Sequence, residues 1–313
     1  MRKRFKYPLV FVVIAIILAT PVWCFLPQLI IAPYRNTVST HPQDFPFYGN
    51  PENLGLKYDS LAVKGYKNIR LNGYFFYTPF KSKGTIIFSH GIGGCKEHFL
   101  HEAKKVCQLG FNAVVYDIRA HGTSEGEYGT YGYFEKHDLR FLIDYLTENY
   151  GCENIGAWGV SYGGAITMQA MAIDDRIHFG LIQSTFSDLR TIVNDYHDRV
   201  IRLHIPGLAD SALDRAAKTA HFNPESVLPK EAAKKISQPI FMSHGTKDQH
   251  IAISYGKENF DALASKHKFW HPVAGAEHNN LPQVGGEEYW AACKDFLNTY
   301  GTQIEINNFN HYE

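Results

Sequence analysis

The pentapeptide Gly159-Val160-Ser161-Tyr162-Gly163 constrains the fold of this 313-residue chain more than any other feature. It lies between an apolar run, Asn154 to Trp158, and a run of small residues, Gly164 to Ala172, which predict a strand and a helix. A serine flanked by glycines at such a junction sits on a sharp turn, with its hydroxyl above the edge of a sheet. The pattern therefore predicts that Ser161 is a nucleophile. A glycine-rich turn with an incidental serine is the alternative for the pentapeptide alone.

Two later strand-like runs each end near a residue that can act with Ser161. Pro239 to Ser243 leads to Asp248, and Lys268 to Val273 leads to His278. Because loops after parallel strands converge in one crevice, we expect the three side chains to meet there. The histidine would remove the serine proton during attack, while the carboxylate would hold the ring and favour its charged form.

Two other aspartates compete with Asp248 for the role of the acid. Asp188 follows the strand-like run Phe179 to Gln183. Asp117 lies near the end of another such run, but Arg119 follows it closely, so we expect these two side chains to form an ion pair within their own loop. Asp248 is the preferred acid, and Asp188 stays open as the alternative.

A glycine-rich segment, His90-Gly91-Ile92-Gly93-Gly94, follows the buried run Thr85 to Ser89. Glycines let the backbone approach a reacting carbonyl closely, so that N–H groups can point at the negative oxygen that develops during attack. We assign the two donors of this oxyanion hole to the backbone N–H groups of Ile92 and Tyr162. His90 is expected to hold the neighbouring loops. Ordinary solvated or core positions are expected for His121, His244, His250 and His271.

Strand-like and helix-like runs alternate along most of the chain. Strands are predicted at Tyr58 to Val63 and Ile69 to Tyr77, and near Thr85, Phe111, Ile155, Phe179, Pro239 and Lys268. Helices are predicted at Glu97 to Leu109, Glu135 to Asn149, Tyr162 to Ala172, Ser254 to Leu263 and Tyr289 to Tyr300. Asn72-Gly73 suggests a turn or bulge inside the second strand. The alternation predicts an α/β fold, with a mostly parallel central sheet and helices on both faces.

The segment from Phe186 to Lys235 interrupts this alternation. It is rich in charged residues and helix formers, and Ile205-Pro206-Gly207 and Phe222-Asn223-Pro224 divide it. A connection this long inside a compact domain is often a functional lid. We therefore predict a helical lid insertion at about residues 186–235. A surface elaboration unrelated to the substrate is the alternative.

From about Tyr58 to the C-terminal helix, the chain resembles the α/β-hydrolase superfamily. Within it, the chain is similar to membrane-anchored α/β-hydrolase-domain proteins and to serine-aminopeptidase-like hydrolases. The matching motifs are His90-Gly91, Tyr116-Asp117-Ile118-Arg119-Ala120-His121-Gly122-Thr123-Ser124, the Ser161 turn, His244-Gly245-Thr246-Lys247-Asp248 and Gly275-Ala276-Glu277-His278. The resemblance implies an α/β-hydrolase fold, in which insertions at the position of residues 186–235 cap the active site.

The same resemblance implies a serine hydrolase with a triad of Ser161, Asp248 and His278. Ser161 would attack an ester, thioester or amide carbonyl of a small-molecule acyl, lipid or peptide substrate, and water would release the acyl group without any cofactor. An acyltransferase or peptidase on the same machinery is one alternative. A catalytically silent binding protein is the other, and the three filled triad positions disfavour it.

Charge and cysteine content narrow the possible partners. Lysine plus arginine equals aspartate plus glutamate at 31 each, so no broad basic field exists to attract nucleic acid. The cysteines show no metal-ligand spacing, so no metal site is expected. A chain with 45% hydrophobic residues can bury a large core without disulfides, and we expect free, mostly buried thiols. The five cysteines are Cys24, Cys95, Cys107, Cys152 and Cys293.

The N-terminus is basic from Met1 to Lys6, and the apolar section Pro8 to Ile31 follows it without a charged residue. This section is long enough to cross a hydrocarbon core of about 30 Å as a helix. A cleaved signal peptide centred on Leu9 to Ala19 is the alternative. Because the basic flank stays in the cytoplasm, the hydrolase domain is predicted to lie outside it. The predicted regions are a single-pass membrane anchor (1–34), an irregular connector (35–56) and the hydrolase domain (57–313).

Overall fold

The computed structural model describes residues 25–40, 49–202 and 205–302. The strands in these residues are β1 (Tyr58–Lys64), β2 (Arg70–Phe76), β3 (Thr85–Ser89), β4 (Asn112–Tyr116), β5 (Ile155–Val160), β6 (Ile177–Gln183), β7 (Ile240–Gly245) and β8 (Lys268–Val273). They form one sheet in the order β1-β2-β4-β3-β5-β6-β7-β8. The β1–β2 and β2–β4 pairs are antiparallel, and the other neighbours are parallel. The predicted mostly parallel sheet is confirmed.

Helices cover both faces of this sheet, also as predicted. They are α1 (25–31), α2 (Leu100–Gln108), α3 (Glu135–Tyr150), α4 (Tyr162–Met171), α5 (Leu189–Ile201), α6 (Leu208–Ala220), α7 (Pro229–Ala233), α8 (Ile253–Ala262) and α9 (Leu281–Tyr300). The last helix begins earlier than predicted, and Gly286 interrupts it with a φ of 51°.

The central strands are buried on both faces, which explains why β3 reads as a continuous apolar run. Successive residues of a strand point to opposite faces. Ile87 accordingly packs with Ile166 in the core beneath α3 and α4, while Phe88 packs against Trp158 beneath α2 and α9. Each such side chain contributes about 1.5–3 kcal/mol when buried, so β3 is held firmly from both sides.

The strand order reverses beside β3. The chain passes from β3 to β4 on one side and later returns to β5 on the other side. In open α/β sheets, ligands bind outside the carboxyl ends of the strands at such a reversal. The segment 90–94 after β3 and Ser161 after β5 therefore flank one crevice.

The prediction of a turn or bulge at Asn72-Gly73 is wrong. Both residues pair in regular register within β2, where Gly73 lies opposite Leu61 of β1 and Tyr116 of β4. A Cβ atom added to Gly73 would lie 2.6 Å from the carbonyl oxygen of Val115. The glycine thus allows the neighbouring strands to approach closely. Hydrogen bonding to a strand on each side outweighs the preference of Asn-Gly for a turn.

The predicted ion pair between Asp117 and Arg119 is also wrong. Asp117 Oδ2 accepts a hydrogen bond from Lys96 Nζ at 2.8 Å, and Arg119 Nε donates to Asp138 Oδ2 at 2.6 Å. All four side chains are buried. The partners come from neighbouring elements that pack against the end of β4, and a buried charge needs such a partner to offset its desolvation.

The insertion after β6 folds into the helices α5, α6 and α7. Its apolar side chains, among them Phe186 and Leu213, form a third core cluster, which also contains Ile31 and Phe134 from outside the insertion. The helical character of the insertion agrees with its composition. The cluster attaches the insertion to the sheet domain on the side where Ser161 lies.

Residues 1–24, which include most of the predicted anchor and Cys24, lie outside the described residues. Among the helices that the structure describes, none has both the length and the apolar character needed to cross a membrane. The last part of the predicted anchor forms α1, which packs on the sheet domain and buries Ile31 completely. Cys95, Cys107, Cys152 and Cys293 are free and buried, as predicted.

Candidate active site

Ser161 lies on the turn between β5 and α4. Its backbone has a φ of 55° and a ψ of −116°, a conformation that residues other than glycine rarely adopt. The Ser161 N–H donates to the carbonyl of Gln183 at 2.8 Å, and the Ser161 carbonyl accepts from the N–H of Ala165 at 3.1 Å. Strained backbone of this kind persists where the surrounding structure fixes it, and it occurs most often at functional sites.

Both glycines of the motif are required by close backbone packing. A Cβ atom added to Gly159 would lie 2.3 Å from the carbonyl oxygen of Gly163, and one added to Gly163 would lie 2.0 Å from the carbonyl oxygen of Ser89. The first turn of α4 therefore rests directly on the end of β3. This contact brings the backbone of Tyr162, the first residue of α4, next to the glycine-rich loop.

His90 holds the glycine-rich loop, as predicted. Its Nε2 accepts a hydrogen bond from the N–H of Ile118 at 3.1 Å, and its Nδ1–H donates to the carbonyl of Gly91 at 2.8 Å. Complete burial lowers the pKa of His90 to about 3, so the ring is neutral at physiological pH. A Cβ atom added to Gly91 would lie 3.7 Å from Ser161 Cβ, and the next residue, Ile92, lines the space around Ser161.

The structure brings Ser161, Asp248 and His278 into one hydrogen-bonded series. His278 Nε2 lies 2.9 Å from Ser161 Oγ, and His278 Nδ1 lies 2.7 Å from Asp248 Oδ2. An ionised carboxylate can only accept, so Nδ1 carries the proton and Nε2 is free to accept from the serine hydroxyl. All three side chains are buried.

Backbone hydrogen bonds fix the loops that carry the acid and the histidine. The N–H of Lys247 donates to the carbonyl of Ala276 at 2.8 Å, which ties one loop to the other. Asp248 Oδ1 accepts from the N–H groups of His250 at 2.8 Å and Ile251 at 2.9 Å. The second oxygen of Asp248 is thereby directed at the ring of His278.

Asp188, the alternative acid, caps a helix. Asp188 is the N-cap of α5, and its Oδ1 accepts from the N–H of Thr191 at 2.7 Å. A capping carboxylate is satisfied by the orphan N–H groups of the first helical turn. The structure therefore places Asp248, and not Asp188, on His278.

His244 was expected to occupy an ordinary position, but it also contacts the acid. His244 Nε2 lies 2.8 Å from the carbonyl oxygen of Ile251 and 3.3 Å from Asp248 Oδ2. Because a carbonyl only accepts, Nε2 carries a proton that both oxygens share. Burial alone would raise the pKa of Asp248, but hydrogen bonds from His244 and His278 hold it well below its usual range. The position of His244, on the strand that leads to Asp248, is the sequence signal that could have revealed this contact.

Glu135 fixes the side chain of Tyr162 from within the domain. Its Oε1 accepts from the Tyr162 hydroxyl at 2.9 Å and from the N–H of Thr130 at 2.7 Å, while Oε2 accepts from the N–H of Gly132 at 2.8 Å. Burial, followed by the charge of Glu135, raises the pKa of Tyr162 well above its usual value, so the hydroxyl remains a donor. The start of α4 is thus held by charge-assisted hydrogen bonds.

Two cavities of different character reach Ser161. The first has a volume of about 410 Å³ and is walled mainly by apolar side chains, among them Ile192 and Val193 of α5 and Leu208 and Ala212 of α6. The second has a volume of about 560 Å³ and is lined in part by polar side chains, including His98, Glu102, Asn279 and Gln283. Ser161 and Ile92 line both of them.

Residues 25–36, which we call the N-terminal strap, also reach the site. Leu26, Leu29 and Ile30 line the apolar cavity, and Asn36 Nδ2 donates to the carbonyl of Gly93 at 2.7 Å. These residues fall in the predicted anchor and the predicted connector. No local pattern marks them as part of the site, because the contacts join distant parts of the chain.

Comparison with known proteins agrees with this architecture. A family model described as serine aminopeptidase, S33, matches residues 81–186. The zebrafish (Danio rerio) protein named lysophosphatidylserine lipase ABHD12 is 25% identical over 229 residues, which are 70% of this chain and 58% of that protein. The Bacillus subtilis uncharacterized protein YqkD is 26% identical over 240 residues, which are 75% of this chain and 77% of that protein.

A solved structure shows the same fold. The Pyrococcus furiosus esterase Pf2001 superposes with a TM-score of 0.68 at 22% identity, over 80% of this chain and 94% of that chain. Its likeness covers the mostly parallel sheet with helices on both faces, and the family model covers the segment from before β3 to the end of β6, which contains the Ser161 turn. The chain is therefore a member of the α/β-hydrolase superfamily.

Proposed function

We propose that this α/β-hydrolase is a serine hydrolase that cleaves an ester, thioester or amide bond through an acyl-enzyme on Ser161. One observation carries the proposal: Asp248, His278 and Ser161 form a continuous hydrogen-bonded series, with distances of 2.7 Å and 2.9 Å. A serine hydroxyl is a weak nucleophile on its own, and such a series supplies the base that activates it.

In the first half of the reaction, Ser161 Oγ attacks the carbonyl carbon while its proton passes to His278 Nε2. Asp248 stabilises the imidazolium that forms and keeps the ring in the correct tautomer. When the tetrahedral intermediate collapses, the same proton moves to the leaving group. In the second half, water attacks the acyl-enzyme while one of its protons passes to His278 Nε2. When this second tetrahedral intermediate collapses, the bond to Ser161 Oγ breaks, His278 returns the proton to that oxygen, and the acid product departs.

The backbone N–H groups of Ile92 and Tyr162 are the proposed donors to the oxyanion. The close packing of Gly163 on Ser89 supports this assignment, since it places the first turn of α4 beside the glycine-rich loop. Removing a single donor of this kind costs about 2.7–4 kcal/mol of transition-state stabilisation in related reactions. His90 would act as a positioning residue, because its two hydrogen bonds hold that loop in place.

The two cavities favour a substrate with an apolar acyl group and a polar leaving group. The apolar cavity ends at Ser161 and is capped by α5 and α6, which supports a lid role for residues 186–235. The second cavity, which also reaches the serine, offers polar side chains. The zebrafish relative is named for a lipid substrate, which supports an acyl ester as the class to test first.

We also propose the N-terminal anchor and the outward orientation of the domain. The uncharged apolar section from Pro8 to Ile31, preceded by the basic segment Met1 to Lys6, supports this topology. An anchored hydrolase would meet its substrates at a membrane surface.

A fluorophosphonate probe tests the proposed activity, because its phosphonyl oxygen mimics the tetrahedral oxyanion. We expect stoichiometric labelling of Ser161, no labelling of the Ser161→Ala variant and strongly reduced labelling of His278→Ala. Hydrolysis of short p-nitrophenyl esters should follow the same ranking. Ser60→Ala is the matched control, because Ser60 is an exposed serine of β1. Absence of labelling in the folded wild type would favour a silent binding protein.

A further inference from the structure

The N-terminal strap is fastened to the hydrolase domain at several points. The carbonyl of Ile31 accepts from the N–H of Gly129 at 2.8 Å, and the carbonyl of Ile30 accepts from the Tyr131 hydroxyl at 2.7 Å. Ile31 itself is completely buried, in the apolar cluster that also contains the inner residues of α5 and α6. These contacts fix the end of α1 on the domain.

The following residues extend this attachment toward the oxyanion loop. The Arg35 guanidinium donates to the carbonyl of Ser124 at 2.6 Å and also to the carbonyl of Gly126. Asn36 Nδ2 donates to the carbonyl of Gly93 at 2.7 Å. The strap therefore follows a defined path from the apolar cavity to the loop that carries Ile92.

One face of α1 closes the apolar cavity. Leu26, Leu29 and Ile30 line it, opposite the inner faces of α5 and α6. Phe25, one position before Leu26, is not part of the lining. The helix thus has a cavity face and an outer face, and the adjacent residues Phe25 and Leu26 lie on different faces.

We infer that the cavity face of the N-terminal strap determines substrate specificity: Leu26, Leu29 and Ile30 of α1 form one wall of an acyl-binding cavity that takes an apolar chain. The part of this inference that concerns which esters are hydrolysed rests on the proposed function. The part that concerns binding of an apolar chain in the cavity does not. Burying a methylene group on an apolar wall changes affinity by about fourfold. A polar side chain in the α1 wall would therefore weaken the binding of long acyl chains more than the binding of short ones.

The first experiment measures hydrolysis of p-nitrophenyl acetate and decanoate by the full-length protein in amphipol. We expect Leu26→Asn to lower the ratio of kcat/KM for decanoate to that for acetate at least tenfold. Leu26→Trp, which fills the cavity, should shift the preferred chain length downward. The matched control, Phe25→Asn, makes a similar change on the outer face and should keep the wild-type ratio within about twofold.

The second experiment measures binding without catalysis. The full-length Ser161→Ala protein, in amphipol, is titrated with cis-parinaric acid, whose fluorescence reports an apolar site. We expect Leu26→Asn in this background to raise the Kd at least tenfold, and Phe25→Asn to leave it within about twofold. Equal Kd values for Leu26→Asn and its parent, or no binding by the parent, would overturn the inference.

The two measurements separate the possible failures. If parinarate binding depends on Leu26 but the wild type neither hydrolyses esters nor reacts with fluorophosphonate, the cavity assignment stands and the proposed hydrolase activity fails. If the wild type hydrolyses esters but Leu26→Asn and Phe25→Asn show the same chain-length ratio, the hydrolase activity stands and the role of the strap is refuted.

Discussion

His244 Nε2 lies 3.3 Å from Asp248 Oδ2, the carboxylate oxygen that also accepts from the ring of His278. Replacing His244 by phenylalanine removes this donor and makes the carboxylate a stronger partner for His278, while loosening its position. We expect kcat to fall by about 10- to 100-fold, the range that corresponds to one hydrogen bond to a charged group. His178→Phe, an exposed position in β6, is the control. A kcat that stays at the wild-type level would reduce His244 to a packing role.

The two candidate acids should respond differently to removal of their charge. Asp248→Asn leaves an amide where His278 needs an acceptor, and we expect kcat to fall by about four orders of magnitude with the fold intact. Asp188→Asn changes only the cap of α5, for which asparagine is equally suited, so activity should stay close to wild type. Steady-state kinetics on variants with matching circular dichroism spectra check the ranking. The reverse ranking would move the acid to Asp188.

A methyl group at Gly163 should destabilise the protein severely. Alanine favours helices over glycine by about 1 kcal/mol, yet the added Cβ would lie 2.0 Å from the carbonyl oxygen of Ser89. We expect Gly163→Ala to lower the free energy of unfolding by at least about 3 kcal/mol. Gly151→Ala is the control, because its Cβ has no neighbour within 4 Å and only its positive φ of 63° opposes the change. Urea unfolding of both variants measures the difference, and similar midpoints would contradict the packing argument.

Stability should decline when the pH falls below about 6.5. Burial lowers the pKa of His90 to about 3, so between that value and the unfolded pKa of about 6.5 only the unfolded chain binds the proton. In that window the free energy of unfolding falls by about 1.4 kcal/mol for each pH unit of acidification. Burial lowers the pKa of His121 too, which adds in the same direction.

Urea unfolding from pH 6.5 to pH 4.5 tests the contribution of His90. Burial raises the pKa of Asp138 to about 6, which opposes the effect of His90 in this range, so wild type and variants are compared under the same conditions. We expect His90→Gln to flatten the dependence, whatever its stability at neutral pH. His178→Gln, at an exposed position, should keep the wild-type slope. A slope that His90→Gln leaves unchanged would show that other groups cause the acid sensitivity.

The full-length chain should fractionate with membranes and expose its hydrolase domain outward. The physical reason is the basic segment Met1 to Lys6 before an uncharged apolar section. Protease added to intact cells or spheroplasts should digest the domain while a cytoplasmic marker stays protected. A protein that remains in the supernatant and is protected from the protease would contradict this topology.

The sequence predicts the parts of the fold that short patterns control. The Ser161 turn follows from a strand, a glycine pair and a helix that are contiguous in the chain. The packing of α4 on β3 is the reason why both positions of that motif are glycine, but this packing cannot be read from the sequence. The central strands can also be predicted from the sequence, because a strand that is buried on both faces appears there as a continuous apolar run.

The sequence is least informative where distant segments compete with local preferences. Arg119 prefers Asp138 over its neighbour Asp117 because α3 lies beside the end of β4 in space. Gly73 pairs in a ladder because strands on both sides satisfy its backbone, although Asn-Gly alone favours a turn. The bond from Asn36 to Gly93 joins residues 57 positions apart, and no pattern in the sequence links the two.

The attachment of the strap limits how freely the N-terminal region can be exchanged between proteins or altered in evolution. A replacement segment would have to supply a large apolar residue at position 31, a guanidinium at position 35 and a side-chain amide at position 36. Each of these faces a backbone whose position is set much later in the chain. The N-terminal strap and the sheet domain of this protein are therefore expected to change together, as one inherited unit, and not as interchangeable modules.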